Sequence, residues 1–537
     1  MSESGDLLVT GEPRDLVVVG AGPAGMAAAA TALDGGLRVV LVDAGAALGG
    51  QFWRHPPTLA QAAVPTADLH HGLGVYRELC ATLAAHERTG RLALLLNHPV
   101  WTTAREDDGF TVHAVDRSRA PEERTVVLRA PALLVATGAY DRQLPFPGWD
   151  LPGVLTAGGL QALLKGGGAV AGRRVVLGGT GPFLLPVAAA LAVRGAEVVA
   201  VCEAAAPSAW LRHPAALLRN PAKWAEAARY AGTLARHRIP VRTRTAIIGA
   251  AAEAEAEADA EAGAGAGAEA GAGAGGQAGV GGAAEGRVAF VRTASLDADG
   301  NPLPGTERRI AADTVGVGWG FVPQVDLLLP LGCDLADAGD GTMAAAVDDG
   351  QRTTVPGLYT AGETCGVGGA ALAVSEGRVA AVSVLTDLSA PGLPNTRRLA
   401  AERRAVTRHR AFARAMARAH PLPPAWPAWL TDDTPVCRCE EVTAGVIRSA
   451  RADDAAADHR QVKQLTRAGM GWCQGRMCGP AVHCLVARDQ PYAPAERLIA
   501  TPVTLGALAD ADASPPGPPL DPAPDLDLAF DPASDRT

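Results

Sequence analysis

Four cysteines near the C-terminus have the types and spacing to do redox chemistry. They form two close pairs, Cys437-x-Cys439 and Cys473-x₄-Cys478, in a chain with nine cysteines. Thiolates grouped in this way can hold a metal ion or an iron–sulfur cluster. Zinc ligands are usually spaced C-x₂₋₄-C, so the C-x-C pair favours a [2Fe-2S] cluster, with zinc or unligated thiols as the alternative.

The second cysteine pair lies in a glycine-rich stretch that runs from Gly469 to Pro480. Such a loop exposes backbone N–H groups, which can donate hydrogen bonds to cluster sulfurs. Cys484 lies outside the spacing and is interpreted as structural. Cys365 stands alone, with no CxxC or CxxxxC near it, which disfavours a disulfide reductase.

A dinucleotide-binding turn lies near the N-terminus, directly after the strand-like run Val17-Val18-Val19. It reads Gly20-x-Gly22-x-x-Gly25 and leads into an alanine-rich helix. The first glycine permits the tight turn, the second admits a pyrophosphate, and the third lets helix and strand pack closely. The helix N-terminus favours the phosphates. Asp43 ends the next strand, where an acid would accept ribose hydroxyl groups.

Later motifs indicate that this first site binds FAD rather than NAD. They lie in three places: just after the acid, at the end of a buried strand, and at a late strand–helix junction. Their residues are Gly50, Gln51, Thr137, Gly138, Gly362, Glu363 and Gly369. The layout resembles the two-dinucleotide-binding-domain flavoproteins, the glutathione-reductase-like class. That resemblance implies that Gly362 and Glu363 contact the flavin ribityl chain, although the class usually has Asp at the second position. The helix after Gly369 would direct its positive end at the flavin ring.

A second, imperfect copy of the turn occurs at Val175–Leu184. Gly179 and Gly181 match the first two glycines, but Leu184 replaces the third, and Glu203 ends the next strand. The larger side chain should push the helix away from the strand. The site is predicted either to bind NAD(P) or another adenine nucleotide, or to be a scaffold that binds none; the second is favoured.

These alternating elements predict an α/β fold with parallel sheets. Compositional shifts divide it into successive parts. We expect an N-terminal extension (1–14), a first FAD-binding part (15–150), a second dinucleotide-binding domain (151–325) with a disordered insertion (249–286), a second FAD-binding part (326–390), a helical linker (391–430) that ends in a Pro/Trp-rich stretch, a [2Fe-2S] domain (431–500) and a disordered tail (501–537).

Charge and hydropathy exclude two classes of function. The formal net charge of −9 is dominated by the insertion and the Asp-rich C-terminal residues, and the remainder is close to neutral. Nothing favours nucleic-acid binding. No apolar run is long enough to span a membrane, and the N-terminus does not resemble a signal peptide. A cytoplasmic location, where thiols stay reduced, is expected. The arginine-rich segment 396–418 is interpreted as a solvated helix face, with a partner interface as the alternative.

The string from Lys463 to Pro480, KQLTRAGMGWCQGRMCGP, resembles the [2Fe-2S] domain of bacterioferritin-associated-ferredoxin (BFD)-like proteins. This domain occurs behind an FAD domain in the alpha subunits of opine oxidases, proline and hydroxyproline dehydrogenases, hydrogen cyanide synthase and heteromeric sarcosine oxidases. Leu48–Arg54 and Gly179–Leu184 are also similar to that family. The resemblance makes Cys437, Cys439, Cys473 and Cys478 the cluster ligands.

The same resemblance implies an electron-relay subunit of a multi-subunit amine or amino-acid oxidoreductase. A smaller FAD-containing partner would oxidise the amino-acid-like substrate, and this chain would receive the electrons. Two alternatives stay open: a self-sufficient NAD(P)H-dependent oxidoreductase, and a non-catalytic scaffold. No side chain is a convincing general base, and His55, His70 and His71 are interpreted as packing or surface residues.

Overall fold

A computed structural model of the chain describes most of its length. The described residues are 14–56, 69–119, 123–253, 286–393, 395–453, 456, 458–487, 490–497 and 499–513.

Twenty-two strands occur in the described residues. In chain order they are β1 (Leu16–Val19), β2 (Val39–Val42), β3 (Leu92–Leu95), β4 (Val100–Glu106), β5 (Gly109–Asp116), β6 (Arg124–Ala130), β7 (Ala132–Val135), β8 (Ala139–Asp141), β9 (Val154–Thr156), β10 (Arg174–Gly179), β11 (Glu197–Glu203), β12 (Val241–Thr243), β13 (Thr245–Ala252), β14 (Val288–Ser295), β15 (Arg308–Ala311), β16 (Thr314–Gly318), β17 (Phe321–Pro323), β18 (Leu335–Asp337), β19 (Met343–Ala345), β20 (Leu358–Thr360), β21 (Pro435–Cys437) and β22 (Val442–Thr443).

Twelve α-helices occur in the same residues, together with four short 3₁₀ helices. The α-helices are α1 (Pro23–Asp34), α2 (Leu73–Arg88), α3 (Ala157–Gly167), α4 (Leu184–Val193), α5 (Pro214–Leu218), α6 (Pro221–Arg236), α7 (Ala370–Asp387), α8 (Thr396–Ala419), α9 (Ala444–Ala452), α10 (His459–Thr466), α11 (Gly479–Val486) and α12 (Leu505–Ala513).

The first sheet is parallel and has the strand order β20-β7-β1-β2-β3. Its central strand, LVVV, is buried along its whole length. Strands that are covered on both faces read as continuous apolar runs, as this one does. Because β20 comes from residues 358–360, the FAD-type domain is split in sequence and closes only after the second domain is complete.

The second sheet repeats this plan, with the strand order β12-β11-β10-β16-β9. Its strands are also parallel, and β10 pairs with β11 and β16. An antiparallel sheet, β13-β14-β15, packs beside it. The α/β fold class predicted from the sequence, with two dinucleotide-binding domains, is confirmed.

The cysteine module is a small unit made of the β21-β22 hairpin and helices α9–α11. It shares one hydrophobic core with the second domain, in which Trp149, Trp319, Trp426 and Trp429 are buried. The Trp149 indole N–H donates to the carbonyl oxygen of Pro435 (2.6 Å), and that of Trp426 to Pro145 (2.8 Å). The Pro/Trp-rich stretch expected to be part of a linker therefore belongs to the core, because its indoles are buried and hydrogen-bonded.

Two segments are shorter than the low-complexity ranges expected from composition. Strand β13 continues through Ala252, so residues 249–252 belong to a hairpin rather than to the insertion; residues 254–285 lie outside the described part. In the expected tail, α12 is helical and packs Ala507 against Trp101 and Val115. Residues 1–13 and 514–537 also lie outside the described part.

Candidate functional site

The three glycines of the first turn have different surroundings. Backbone atoms crowd two of them, and the third borders open space. A Cβ on Gly20 (φ +104°) would overlap the carbonyl oxygen of Ala136, and one on Gly25 would overlap that of Gly20. A Cβ on Gly22 would meet no protein atom within 4 Å. The turn thus leaves room above Gly22, where a pyrophosphate would approach the N-terminus of α1.

Asp43 lies at the end of β2 and is tied to this turn. Its carboxylate accepts hydrogen bonds from the backbone N–H groups of Ala21 (2.5 Å) and Gly45 (2.6 Å). Burial raises the pKa of Asp43, against the lowering effect of those two hydrogen bonds. Gly50 packs against Gly22, and the neighbouring Gln51 side chain accepts a hydrogen bond from Arg54 Nε (3.0 Å).

Gly22→Ala is expected to separate folding from flavin binding. The protein has nothing for the new methyl group to strike, so we expect the free energy of unfolding of the apoprotein to change by less than about 0.5 kcal/mol. FAD affinity should fall at least about tenfold, because the methyl group occupies the space expected for the pyrophosphate. Gly25→Ala is the matched comparison: its Cβ meets backbone, so both stability and flavin content should fall. Flavin absorbance per chain and thermal melts of the apoproteins measure the two effects.

The expected flavin end of the first site brings together three segments that are distant in sequence. Thr137 Oγ1 donates to the carbonyl oxygen of Gln324 (2.7 Å), and the Gly138 N–H donates to Thr364 Oγ1 (3.1 Å). Glu363 accepts a hydrogen bond from the backbone N–H of Gly369, and burial raises its pKa. Glu363 therefore binds a backbone N–H at the N-terminus of α7. The resemblance to the flavoprotein class implies a further contact of this residue with the ribityl chain.

The sequence analysis did not predict the ion pair that anchors the loop 362–369 at the expected flavin end. Glu376, on α7, is fully buried; its carboxylate contacts Arg410 of α8 (Oε1–Nη2 2.6 Å) and accepts the Gly362 N–H (3.0 Å). Arg410 also donates to the carbonyl oxygen of Gly366 (2.7 Å). One arginine of the segment interpreted as a solvated face thus points into the loop 362–369. The available signal was an acid within a largely apolar helix, since an acid that becomes buried there needs a cation.

Arg410→Met is expected to make stability more sensitive to pH. Burial raises the pKa of Glu376 to about 7, while Arg410 lowers it. A carboxyl whose folded pKa lies above its unfolded value contributes stability below about pH 4.5 that is lost as pH rises through about 7. Without Arg410 the folded pKa rises further, so the loss should deepen. Melting temperatures from pH 5 to 8 should fall more steeply than in the wild type, and Glu376→Gln should flatten the profile. If the melting temperatures of Arg410→Met and the wild type changed with pH in the same way, Arg410 would not be the group that lowers the pKa of Glu376.

The four cysteines come together at one end of the small module. Cys437 ends β21, Cys439 lies in the turn to β22, Cys473 lies in the loop after α10, and Cys478 caps α11. The Cys437 sulfur accepts a hydrogen bond from the Gly469 N–H (3.4 Å). This is the kind of contact that the glycine-rich loop was expected to make.

The four thiols interact as two pairs, Cys437 with Cys478 and Cys439 with Cys473. A hydrogen bond from Cys478 lowers the pKa of Cys437 to about 6, and the same contact raises the pKa of Cys478. The pKa of Cys439 is raised overall: the Cys473 N–H lowers it, but burial and the Cys473 thiol outweigh that contact. No three His, Cys, Asp or Glu side chains in the described part of the chain are arranged around a single metal ion. Two thiol pairs suit a two-iron cluster, in which each iron takes two thiolates, and the residues fit that group.

A buried carboxylate joins the cysteine loop to the expected flavin end. Asp326 is 1% exposed, and its Oδ1 contacts Arg476 Nη2 (2.9 Å) and Arg497 Nη1 (2.8 Å). Arg476 lies between Cys473 and Cys478 and donates to the carbonyl oxygen of Cys473 (3.3 Å). Asp326 is two residues from Gln324. The Gln324 carbonyl oxygen accepts a hydrogen bond from Thr137 Oγ1, and its N–H donates to the carbonyl oxygen of Gly138. These contacts fix the cysteine loop against the strand end at which the flavin is expected.

The second turn copies the hydrogen bonds of the first. Glu203 accepts the N–H groups of Gly181 (2.9 Å) and Ala205 (2.9 Å), at the same sequence offsets at which Asp43 accepts those of Ala21 and Gly45. Gly179 (φ +146°) packs against the backbone of Gly318, while a Cβ on Gly181 would meet nothing within 4 Å.

The chain itself covers the acid of the second site. His420, at the end of α8, lies with Nδ1 3.5 Å from Glu203 Oε1, and its Nε2 accepts the Trp210 indole N–H (3.0 Å). Trp210 also stacks on Phe412 of α8. A ribose would have to displace His420 to reach Glu203.

Two family models match these two parts of the chain. Residues 14–270 match the pyridine nucleotide-disulphide oxidoreductase family, and residues 435–488 match the BFD-like [2Fe-2S] binding domain. The chain is thus an FAD-dependent oxidoreductase with a C-terminal [2Fe-2S] domain, and its predicted cofactors, FAD and [2Fe-2S], are confirmed.

Relatives that match over most of their length define the family of this chain more closely. The chain is 33% identical to the A subunit of opine oxidase from Rhizobium meliloti (92% of this chain, 98% of the relative). It is 31% identical to the HcnB subunit of hydrogen cyanide synthase from Pseudomonas aeruginosa (86% and 90%). The protein belongs to this family of oxidoreductase subunits. A region covering 35% of the chain is 36% identical to 19% of the alpha subunit of sarcosine oxidase from a Corynebacterium species.

Among solved structures, L-proline dehydrogenase from P. horikoshii has the same fold, with a TM-score of 0.58 over 93% of this chain and 80% of that one, at 17% identity. Within the described residues, no helix has the length and apolar character needed to cross a bilayer.

Proposed function

We propose that this chain is the electron-relay subunit of a multi-subunit enzyme that oxidises an amine or amino acid of the opine, hydroxyproline or sarcosine type. The observation that carries the proposal is the Asp326 bridge, which fixes the cysteine loop against the Gln324–Gly138 contact. A relay needs its two carriers at a constant separation, and a buried, doubly paired carboxylate supplies a rigid connection.

The cofactors supply the electron chemistry when bound: FAD exchanges one or two electrons, and the cluster one at a time. The side chains described above have other tasks. The glycine turn and Asp43 would hold the dinucleotide, Glu363 and Gly369 would orient its flavin end, and the four thiolates would hold the irons.

Partner and substrate are proposed from the names of the relatives. Opine oxidase, hydrogen cyanide synthase and sarcosine oxidase are each represented by a named subunit. A separate, smaller FAD-containing subunit would remove hydride from the substrate and pass the electrons to this chain. A reducing compartment such as the cytoplasm would keep the four thiols available for iron.

The His420 contact disfavours the alternative of a self-sufficient NAD(P)H oxidoreductase. Glu203 is the residue that would bind an adenosine ribose, and it already contacts His420 next to the Trp210–Phe412 stack. We therefore propose that the second site does not take up NAD(P)H during turnover.

Anaerobic mixing experiments test the proposal on the purified holoprotein. We expect flavin together with about two irons and two sulfides per chain. NADH or NADPH should leave the flavin absorbance unchanged, whereas the partner subunit with its amine substrate should bleach both flavin and cluster bands. Flavin without iron, or rapid bleaching by NADH alone, would refute the relay.

A further inference from the structure

A cleft of about 420 Å³ between the second domain and α8 carries five arginines that the relay does not use. Arg408, Arg414 and Arg418 come from α8, and Arg212 and Arg219 from the segment around α5. Across the described residues, none of these guanidiniums has a carboxylate within ion-pair distance, and the lining contains no acid. Unneutralised positive charge in a concave surface attracts an anionic occupant.

The helix that supplies three of these arginines also supplies the arginine that pairs with Glu376. Arg408, Ala411, Ala415 and Arg418 follow helical spacing and line the cleft. Arg410, one turn before the cleft-lining Arg414, contacts Glu376 and the loop 362–369 instead of the cleft. The cleft arginines are thus not needed for the ion pair at the flavin end.

Large exposed apolar side chains flank the cleft-lining residues in the chain, which argues for a peptide rather than a small inorganic anion. Leu211 is 79% exposed, Leu218 is 81% exposed, and Trp224 is 55% exposed. Leu211 and Leu218 directly precede the cleft arginines Arg212 and Arg219, and Trp224 lies five residues after Arg219. Among the residues that line the cleft, Asn220 is 4% exposed, and its buried Oδ1 is an acceptor that no described residue satisfies.

We propose that the cleft binds the acidic C-terminal segment 521–535 of the same chain. That segment contains Asp525-Leu-Asp-Leu-Ala-Phe-Asp531, in which carboxylates alternate with large apolar side chains. The carboxylates match the arginines, and the leucines and Phe530 match the exposed Leu211 and Leu218. Twelve residues lead from Ala513 to Asp525, and a fully extended chain of that length spans about 40 Å.

Photocrosslinking in the full-length holoprotein tests this contact. Phe530→benzoylphenylalanine should crosslink within one chain to residues 208–224 or 404–418, as identified by mass spectrometry. Arg414→Glu with Arg418→Glu should reduce the yield of that product by about tenfold, and 0.5 M salt should reduce it similarly. Arg105→Glu, on an exposed part of β4, is the matched control and should leave the yield unchanged.

A charge swap makes the outcome decisive. Adding Asp525→Arg and Asp527→Arg to the double arginine variant should restore at least half of the crosslink. Crosslinks to other residues would overturn the proposal, and so would a yield that the arginine substitutions and salt leave unchanged. A crosslinked dimer as the main product would also overturn it, because the segment would then bind a second copy. The flavin and iron contents should stay at wild-type values throughout, so failure here does not bear on the relay.

Discussion

Cys473→Ser is expected to give a folded, flavin-containing protein that has lost its cluster. Cys473 is half-buried in a loop, and serine differs from cysteine by one atom, so packing should change little. The hydroxyl is a poor substitute for thiolate at iron, however, and Cys439 would lose its partner thiol. Iron should fall from about two per chain to near zero.

Turnover of the reconstituted complex should fall by at least about 100-fold, since changes that only tune a metal site already cost 10–100-fold. Iron and sulfide assays, the visible spectrum and turnover with the partner subunit measure the effects. Cys484→Ser is the matched control, because that residue is also partly buried in the module but lies outside the two pairs. If Cys473→Ser left turnover intact, the non-catalytic scaffold would become the better description.

The sequence was sufficient for features that depend on local spacing. The turn Gly20–Gly25, the acid Asp43 and the strands around them form contiguous patterns, and the role proposed for each residue follows from its place in the pattern. The cysteine module was predictable for the same reason. Its four predicted ligands occupy two short stretches, and their types allow few alternatives.

The sequence was insufficient where a site is assembled from distant segments. Arg410 lies among many other arginines, and nothing local distinguishes the one that reaches Glu376. The cover over Glu203 could not be foreseen either, because His420 comes from the end of a different helix. Composition wrongly predicts a linker for the Pro/Trp-rich stretch, because it does not reveal that Trp426 and Trp429 are buried against the second domain.

Asp326 offers the sharpest test of whether the connection between the two carriers is needed. Asp326→Ala removes the only carboxylate that the described residues bring to Arg476 and Arg497, and it leaves both guanidiniums mostly buried without a counter-charge beside the cysteine loop. Breaking a buried pair in this way costs about 3–5 kcal/mol. The melting temperature should fall by several degrees.

Beyond stability, Asp326→Ala should change how the cluster communicates with the flavin, because Arg476 would no longer fix the Cys473 carbonyl against the Gln324 strand end. The cluster's electron paramagnetic resonance signal should broaden, and reduction of the cluster after the flavin should slow by about tenfold or more, while the flavin content stays unchanged. Glu197→Ala is the matched control: it breaks the Arg174–Glu197 pair (2.9 Å), which is about half exposed and should be worth about 0–1 kcal/mol. If both variants melted and reduced alike, Asp326 would be an ordinary structural ion pair, and the rigid connection on which the relay depends would have to lie elsewhere.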